Sequence, residues 1–287
     1  RNMRALGTVA CADICNSDIS YSAKQDADLS FINFFEFFAL SVEQAKSQAL
    51  KFERILNEFK HLKTYPAFHS PYAMSDEGLS ELKLFFLQSK IGTLHFRESA
   101  DELTLNHENN PLVNFYQTLN DKFQPAFASG TWQETQGEYL KNLESLLLVH
   151  NIFLSEQALL DVKQWGEENA INLGFVLCPR SNENIHKKLP PVDVLMKHHV
   201  NICLGTDSLL SVQTLSVFDE MKFLTEKFPN LKLSDVLKMA TVNAAKVLKF
   251  KHLGEIAEGM KPGINGIKMK NLKSDVLSQG AELIRLV

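Results

Sequence analysis

His95 and Glu98, three residues apart in the stretch Ile91-Gly92-Thr93-Leu94-His95-Phe96-Arg97-Glu98-Ser99, are side chains of the kind that hold a metal ion and move a proton. The apolar run 91–94 has strand length, so the imidazole falls where a buried strand opens into a loop, with the carboxylate just beyond it. In alternating α/β architectures that C-terminal strand edge is where chemistry collects. A neutral imidazole there can bind a metal while a carboxylate beside it handles protons. The HxxE spacing alone also fits a histidine that is merely hydrogen-bonded at a strand end. Three further positions repeat the theme: His69 in His69-Ser70-Pro71-Tyr72, His150 after the apolar run 146–149, and Asp207 in Gly205-Thr206-Asp207-Ser208. Singly, these read as a turn residue, a helix-capping histidine and an N-cap. In this order and on this rhythm, they mark successive strand ends.

The elements that must position them follow from hydrophobic periodicity. Strands are expected at 6–11, 31–38, 65–68, 91–94, 146–149, 172–178 and 200–204, the last but one closing on Pro179-Arg180-Ser181-Asn182. Val42, Ala45, Ala49, Phe52, Ile55, Leu56, Phe59 and Leu62 form the stripe of an amphipathic helix. Ser75 caps a second helix, with Asp76 and Glu77 in its first turn, that runs to Lys90; Ser155 caps a third over 156–165. Pro190 and Pro191 open a helix to His198, and two more follow at 215–227 and 233–249. Residues 100–141, polar and containing Trp132, read as a partly helical insertion of the kind that covers active sites. The glycine-rich tail from Leu253 reads as a small appended sheet.

Strand and helix thus alternate six or seven times, the pattern of a parallel-strand α/β fold. A doubly wound sheet and a closed barrel both fit. The polar residues favour the barrel, because His69, His95, His150, Arg180 to Asn182 and Asp207 come from successive strands and would converge only in a ring. The expected division is a (β/α) barrel catalytic domain over 1–252 and the C-terminal part of a small β-rich domain over 253–287.

With 287 residues, 45% of them hydrophobic, the chain can bury a large core. A formal net charge of −4 gives no basic field for nucleic acid, and small molecules are the expected partners. No apolar run reaches the ~18 residues of a membrane span. Four cysteines, Cys11, Cys15, Cys178 and Cys203, make no disulfide framework in a chain this long, which fits a reducing cytoplasm. Cys11 and Cys15 lack a second Cys or His pair at structural-zinc spacing and read as buried thiols.

The motifs together resemble the amidohydrolase superfamily, in its nucleoside and nucleobase deaminase branch. His69-Ser70-Pro71-Tyr72 is similar to that family's HAPY turn, His95 to Glu98 to its HxxE, Val149-His150 to its strand-six histidine, and Gly205 to Ser208 to its strand-eight GTDS. Residues 239–248 are similar to the helix that follows. The resemblance implies a (β/α)8 TIM barrel of the metal-dependent hydrolase type around one divalent ion, zinc or iron. It implies His95 and Asp207 as metal ligands, with Asp207 also a base toward the metal-bound water. Glu98 would shuttle a proton to the ring nitrogen and the leaving amine, His150 would orient the water or polarise the forming oxyanion, and His69 and Ser208 would contact substrate. The family's strand-one HxH is not found in these residues. The chain starts at Arg1 without an initiator Met, and that strand and its ligands are expected upstream. The tail also has Pro262-Gly263-Ile264-Asn265-Gly266 where the family carries an acidic step.

Phe31 to Glu36 resembles the version in aminofutalosine deaminases of ε-proteobacterial type. That likeness implies hydrolytic deamination of an adenine-bearing nucleoside, 6-amino-6-deoxyfutalosine of the menaquinone route. Glu36 could then accept from ribose hydroxyls or, equally, cap the following helix. Arg180, Ser181 and Asn182 could meet a substrate carboxylate or purine edge, or Arg180 could brace the rim. S-adenosylhomocysteine/methylthioadenosine deaminase, guanine deaminase and triazine hydrolase stay open, as do a metal-free binding or scaffold barrel and a homodimeric assembly.

Overall fold

The structure is a computed structural model, and it describes residues 2–70, 72–126, 136–270 and 275–287, so that Pro71 and Trp132 lie outside the described residues. In chain order its strands are β1 (Ala10–Cys15), β2 (Ser30–Phe37), β3 (Lys63–Phe68), β4 (Ile91–Phe96), β5 (Ser145–His150), β6 (Asn172–Leu177), β7 (Ile202–Leu204), β8 (Asn265–Lys268) and β9 (Glu282–Arg285). The pairs β2–β3, β4–β5 and β6–β7 are parallel, with helices on the connections. This is the α/β pattern expected from the alternation. Among the described residues no helix is long and apolar enough to cross a membrane. The chain divides into two compact units, one of Ala12–Asp26 and Phe31–Leu173, the other of Arg1–Cys11, Ala27–Ser30 and Gly174–Val287.

The first unit is built on aromatic packing. Residues of β2 that alternate along the strand send Phe35 and Phe37 toward the helix Val42–Glu58, whose Phe52 lies 5.5 and 5.4 Å from their ring centroids. The helix Asp76–Gln88 adds Phe85 and Phe86, with Phe86 stacked on Phe68 of β3 at 3.9 Å. Such ring pairs contribute about 0.5–1.5 kcal/mol each beyond the area they bury. The cluster therefore fixes how the helices sit on β2 and β3. Both helices start where the sequence says: Ser41 Oγ accepts from Gln44 N at 3.3 Å and Ser75 Oγ from Gly78 N at 3.1 Å. Ser155 caps Glu156–Glu168 in the same way.

In the second unit two expectations shift. The strand expected at 6–11 begins at Ala10, and Asn2–Ala5 is one turn of helix. The segment before it is held by the tail: Asn265 Nδ2 donates to Gly7 O at 3.0 Å, and Arg285 to Arg4 O at 3.1 Å. The stretch Pro179-Arg180-Ser181-Asn182 that follows β6 is the first turn of the helix Pro179–His186, because a proline at the first helical position gives up no hydrogen bond. The helix expected over 233–249 is two, Leu233–Ala240 and Val242–Val247. Thr241 breaks it, its hydroxyl donating back to Leu237 O at 2.6 Å while its backbone leaves the helical region. The second piece is then tied to β7, Asn243 Nδ2 donating to Ile202 O at 2.8 Å. The small tail sheet is present as β8 antiparallel to β9.

Gly78 tests the close seating of Asp76–Gln88. A Cβ there would stand 2.6 Å from Ala39 O, a backbone atom that cannot swing aside. Gly78→Ala would gain up to about 1 kcal/mol of helix propensity, but relieving the overlap costs about 1–3 kcal/mol. The expected outcome is a net loss of stability in denaturant melts. An unchanged or higher midpoint would show that the helix is not packed this tightly.

Candidate active site

Within the first unit, the parallel pairs β2–β3 and β4–β5 end in polar side chains that meet one another. Glu36 sits in β2 opposite Ala67 of β3, His69 directly follows β3, His95 is the penultimate residue of β4, and His150 ends β5 beside Phe96. The ring centroids of His69 and His95 are 4.7 Å apart, and those of His95 and His150 are 5.1 Å apart and nearly parallel. Glu98, just past β4, brings Oε1 to 3.4 Å from His150 Nε2. The structure therefore assembles five of the expected site residues, Glu36, His69, His95, Glu98 and His150.

The tautomers follow from the acceptors. His95 Nδ1 lies 2.7 Å from the carbonyl oxygen of His69, which can only accept, so Nδ1 carries the proton and Nε2 keeps its lone pair. His69 Nδ1 lies 2.7 Å from Glu36 Oε1 and donates to that carboxylate. Phe38, which follows β2, covers the His69 ring at 4.4 Å. Burial, with the neighbouring imidazoles of His150 and His69 adding to it, pushes His95 down to about 4, so its ring is neutral at physiological pH. Glu36 and Glu98 pull weakly the other way.

The loop after β4 is held by a residue that sequence reasoning passed over. Glu102, buried, accepts from the backbone N–H groups of Arg97, Glu98 and Ser99 at 2.9, 2.9 and 3.0 Å. Burial raises its carboxyl to about 7 against the opposing pull of those three N–H groups. The signal was available: Ser99 and Glu102 have the spacing of a capping box, and they cap the short 3-10 turn Ala100–Thr104. Arg97, His150 and Asn151 all have left-handed backbones, with φ of 53°, 77° and 60°.

The remaining expected residues lie in the second unit. Asp207, just after β7 with φ 58°, accepts from Ser181 Oγ at 2.5 Å, Ser211 Oγ at 2.9 Å and Ser208 N at 2.7 Å. Ser208 Oγ accepts from Leu210 N. Arg180 donates from Nε to Glu220 Oε1 at 2.8 Å and from both terminal nitrogens to Thr214, while its backbone N–H reaches the other Glu220 oxygen at 3.0 Å. Glu220 is fully buried, and burial raises its carboxyl. These contacts make Arg180 the counter-charge of a buried carboxylate. Ser181 was legible in the sequence as a candidate substrate contact beside Arg180, but its bond to Asp207 was not, and Glu220 was invisible because its partner is 40 positions away.

Two groups of donors in the first unit could hold a cation: Glu36 with His69 and His95, and His95 with Glu98 and His150, the ligand atoms in each lying within 4.8 Å of one another. Mixed nitrogen and oxygen donors around a neutral, carbonyl-oriented imidazole suit a divalent ion of the zinc and iron type. No such group includes a cysteine among the described residues; Cys11 and Cys15 are half-buried and Cys178 and Cys203 buried.

Residues 23–277 match the profile of the Amidohydrolase family. Over 286 residues the chain is 27% identical to an adenosine deaminase of Helicobacter pylori, spanning 95% of this chain and 68% of that protein. A 5-methylthioadenosine/S-adenosylhomocysteine deaminase of Saccharophagus degradans is 28% identical over 215 residues, 71% of this chain but 43% of that protein. The crystal structure of Helicobacter pylori aminofutalosine deaminase in complex with methylthio-coformycin superposes with a TM-score of 0.77 at 26% identity, covering 91% of this chain and 64% of that one. The chain thus spans from under half to about two thirds of the length of these relatives.

The Arg180–Glu220 pair makes a prediction that separates bracing from substrate contact. Removing one partner of a buried pair costs about 3–5 kcal/mol, whereas replacing both by apolar groups is close to neutral. Arg180→Met should therefore lower the unfolding midpoint sharply, and Arg180→Met with Glu220→Met should recover most of the loss. A single variant as stable as the parent would remove the bracing role.

Proposed function

Because the chain belongs to the amidohydrolase family, we propose that it acts as a metal-dependent hydrolase on a C–N bond of a cyclic amidine, deaminating an adenine-bearing nucleoside, with 6-amino-6-deoxyfutalosine as substrate. The observation that carries this reading is the convergence of Glu36, His69, His95, Glu98 and His150 at the ends of β2 to β5. The closed (β/α)8 ring is the architecture we assign to it. His95 would hold the divalent ion, and Asp207 is assigned to the same ion by its Gly205-Thr206-Asp207-Ser208 motif. Bound there, a divalent cation supplies Lewis acidity that brings the pKa of a water to about 7.

The chain's own residues divide the rest of the work. Replacing an exocyclic amine by oxygen requires a proton on the ring nitrogen as water adds to the neighbouring carbon, and then a proton on the departing amine. Glu98, the most open carboxylate of the group, delivers and recovers that proton. His150, within 3.4 Å of it and almost fully buried, orients the attacking water and polarises the oxygen as it forms. His69, with Nδ1 committed to Glu36, presents Nε2 as its remaining polar atom to the purine edge. Glu36 thereby acts on substrate either directly, at the ribose hydroxyls, or by holding His69. Ser208 is assigned a substrate contact.

The aminofutalosine reading draws on the Helicobacter pylori structure. The Saccharophagus degradans relative favours a second, methylthioadenosine or S-adenosylhomocysteine, in the same site. A deamination assay of the full-length protein over a panel of adenine nucleosides, with and without chelator, decides between them. Loss of the adenine absorbance on one nucleoside names the substrate, and turnover that survives thorough metal removal would overturn the metal-dependent reading. Sub-stoichiometric metal with every nucleoside unchanged would leave a binding or scaffold barrel instead.

Two substitutions test the roles. Glu98→Gln should lower turnover by at least ~100-fold, the scale of a positioned acid/base, with metal content unchanged. Asp207→Ala should lose both metal and activity; stoichiometric metal in that variant would withdraw Asp207 as a ligand.

A further inference from the structure

Glu98 owes its position to its backbone, and its backbone is held from two sides. On the acceptor side, Asn151 N donates to Phe96 O at 3.0 Å and Phe153 N to Arg97 O at 2.8 Å, which fixes the carbonyls just before Glu98 to the end of β5. On the donor side, three successive N–H groups, those of Arg97, Glu98 and Ser99, point to one side chain. Glu102 Oε1 takes Glu98 N and Ser99 N, and Oε2 takes Arg97 N. Three consecutive amides can converge on one carboxylate only if the chain curls, and Arg97 supplies the curl with its left-handed φ of 53°. That conformation is disfavoured for a non-glycine residue, so it persists only where its surroundings impose it. The Ser99 hydroxyl, accepting from Asp101 N at 3.2 Å, begins the turn that carries Glu102 back to the loop.

We propose that Glu102 is the positioning residue for the proton-transferring carboxylate: by clamping the amides of Arg97, Glu98 and Ser99 it sets the arc on which Glu98 Oε1 stands opposite His150 Nε2. This rests on the role given to Glu98 above. Glu102 has no part in binding substrate or metal on this reading; its carboxylate is filled by its own backbone loop. A carboxylate with both oxygens accepting is required. In a carboxamide of the same volume only one atom accepts, and the other presents N–H to N–H, so at least one of the three amides loses its acceptor whichever way the group is turned.

The test uses the full-length protein and Glu102→Gln, alone and combined with Glu98→Gln. Displacing a reacting group by about 1 Å costs on the order of 100-fold, so Glu102→Gln should lower kcat by ~10–100-fold while KM and bound metal stay near the parent values. In the Glu98→Gln background, where no proton-transferring carboxylate is left to misplace, adding Glu102→Gln should have no further effect on kcat. Amide hydrogen exchange gives a readout independent of turnover: the N–H groups of 97, 98 and 99 should be protected in the parent and exchange faster in Glu102→Gln, while those of β5 stay protected. If Glu102→Gln does not accumulate as folded protein, Glu102→Asp, which withdraws the carboxylate by one methylene, is read in the same way. A parental kcat in Glu102→Gln, or an equal loss in both backgrounds, would overturn the proposal, as would unprotected amides at 97–99 in the parent. A parent that turns over no nucleoside at all brings down the functional reading, and this role for Glu102 with it, whatever the exchange shows.

Discussion

The carbonyl oxygen of His69 is the point on which the strand edge depends. It accepts the backbone N–H of His95 at 3.1 Å and the Nδ1–H of the same residue at 2.7 Å, so one atom both joins the end of β3 to β4 and sets the plane of the imidazole. A buried imidazole N–H without an acceptor would cost about 1–3 kcal/mol, and a ring free to flip would offer either nitrogen outward. With Nδ1 anchored, Nε2 is left with its lone pair. The burial that satisfies the anchor also keeps the ring neutral. Orientation and tautomer of His95 are thus two consequences of one backbone contact, and that contact joins the end of one strand pair, β2–β3, to the start of the next, β4–β5.

The carboxylates of the first unit are sorted by their partners. Glu36 and Glu102 are both buried, where an ionised group must be matched. Glu36 is matched by an imidazole, and Glu102 by three backbone amides. Glu98 is less buried than either and stands beside an imidazole at a distance slightly long for a hydrogen bond. Two carboxylates hold the framework and the third is in a position to exchange a proton. The same sorting holds in the second unit, where Glu220 is matched by Arg180 and Asp207 by two serine hydroxyls and a backbone N–H.

Much of this was legible in the sequence, for a physical reason. Periodicity reports which face of an element is apolar, and caps report where helices begin; hence β2 to β5 and the helices Val42–Glu58 and Asp76–Gln88 were readable to within a few residues. The strand-end histidines were readable because short apolar runs end at them. What periodicity cannot carry is partnership across the chain. It missed the break at Thr241, which depends on a hydroxyl turned back on its own helix and on the tether of Asn243 to β7. It gave Arg180 two candidate roles without choosing, because Glu220 lies 40 residues downstream. It passed over Glu102 even though Ser99-Ala100-Asp101-Glu102 is a readable capping box, because that pattern normally announces a long helix, and here it closes a five-residue turn.

The left-handed backbones at these strand ends carry the last step. Arg97 after β4, His150 and Asn151 at the end of β5, and Asp207 after β7 all have positive φ, and none is glycine. Each costs about 1–2 kcal/mol relative to an ordinary backbone, a large fraction of the ~5–15 kcal/mol by which a domain is stable. Glycine would relieve that cost at any of them but would remove the side chain. The sequence keeps the side chains, and the surroundings hold the bends: Glu102 and Phe153 at Arg97, Phe96 at Asn151 next to His150, Ser181 and Ser211 at Asp207. A side chain on an over-determined bend has little freedom to lose when a substrate arrives. The stability spent on these bends is therefore spent on pre-organisation, the condition under which fixed dipoles and acid/base groups act most strongly on a transition state.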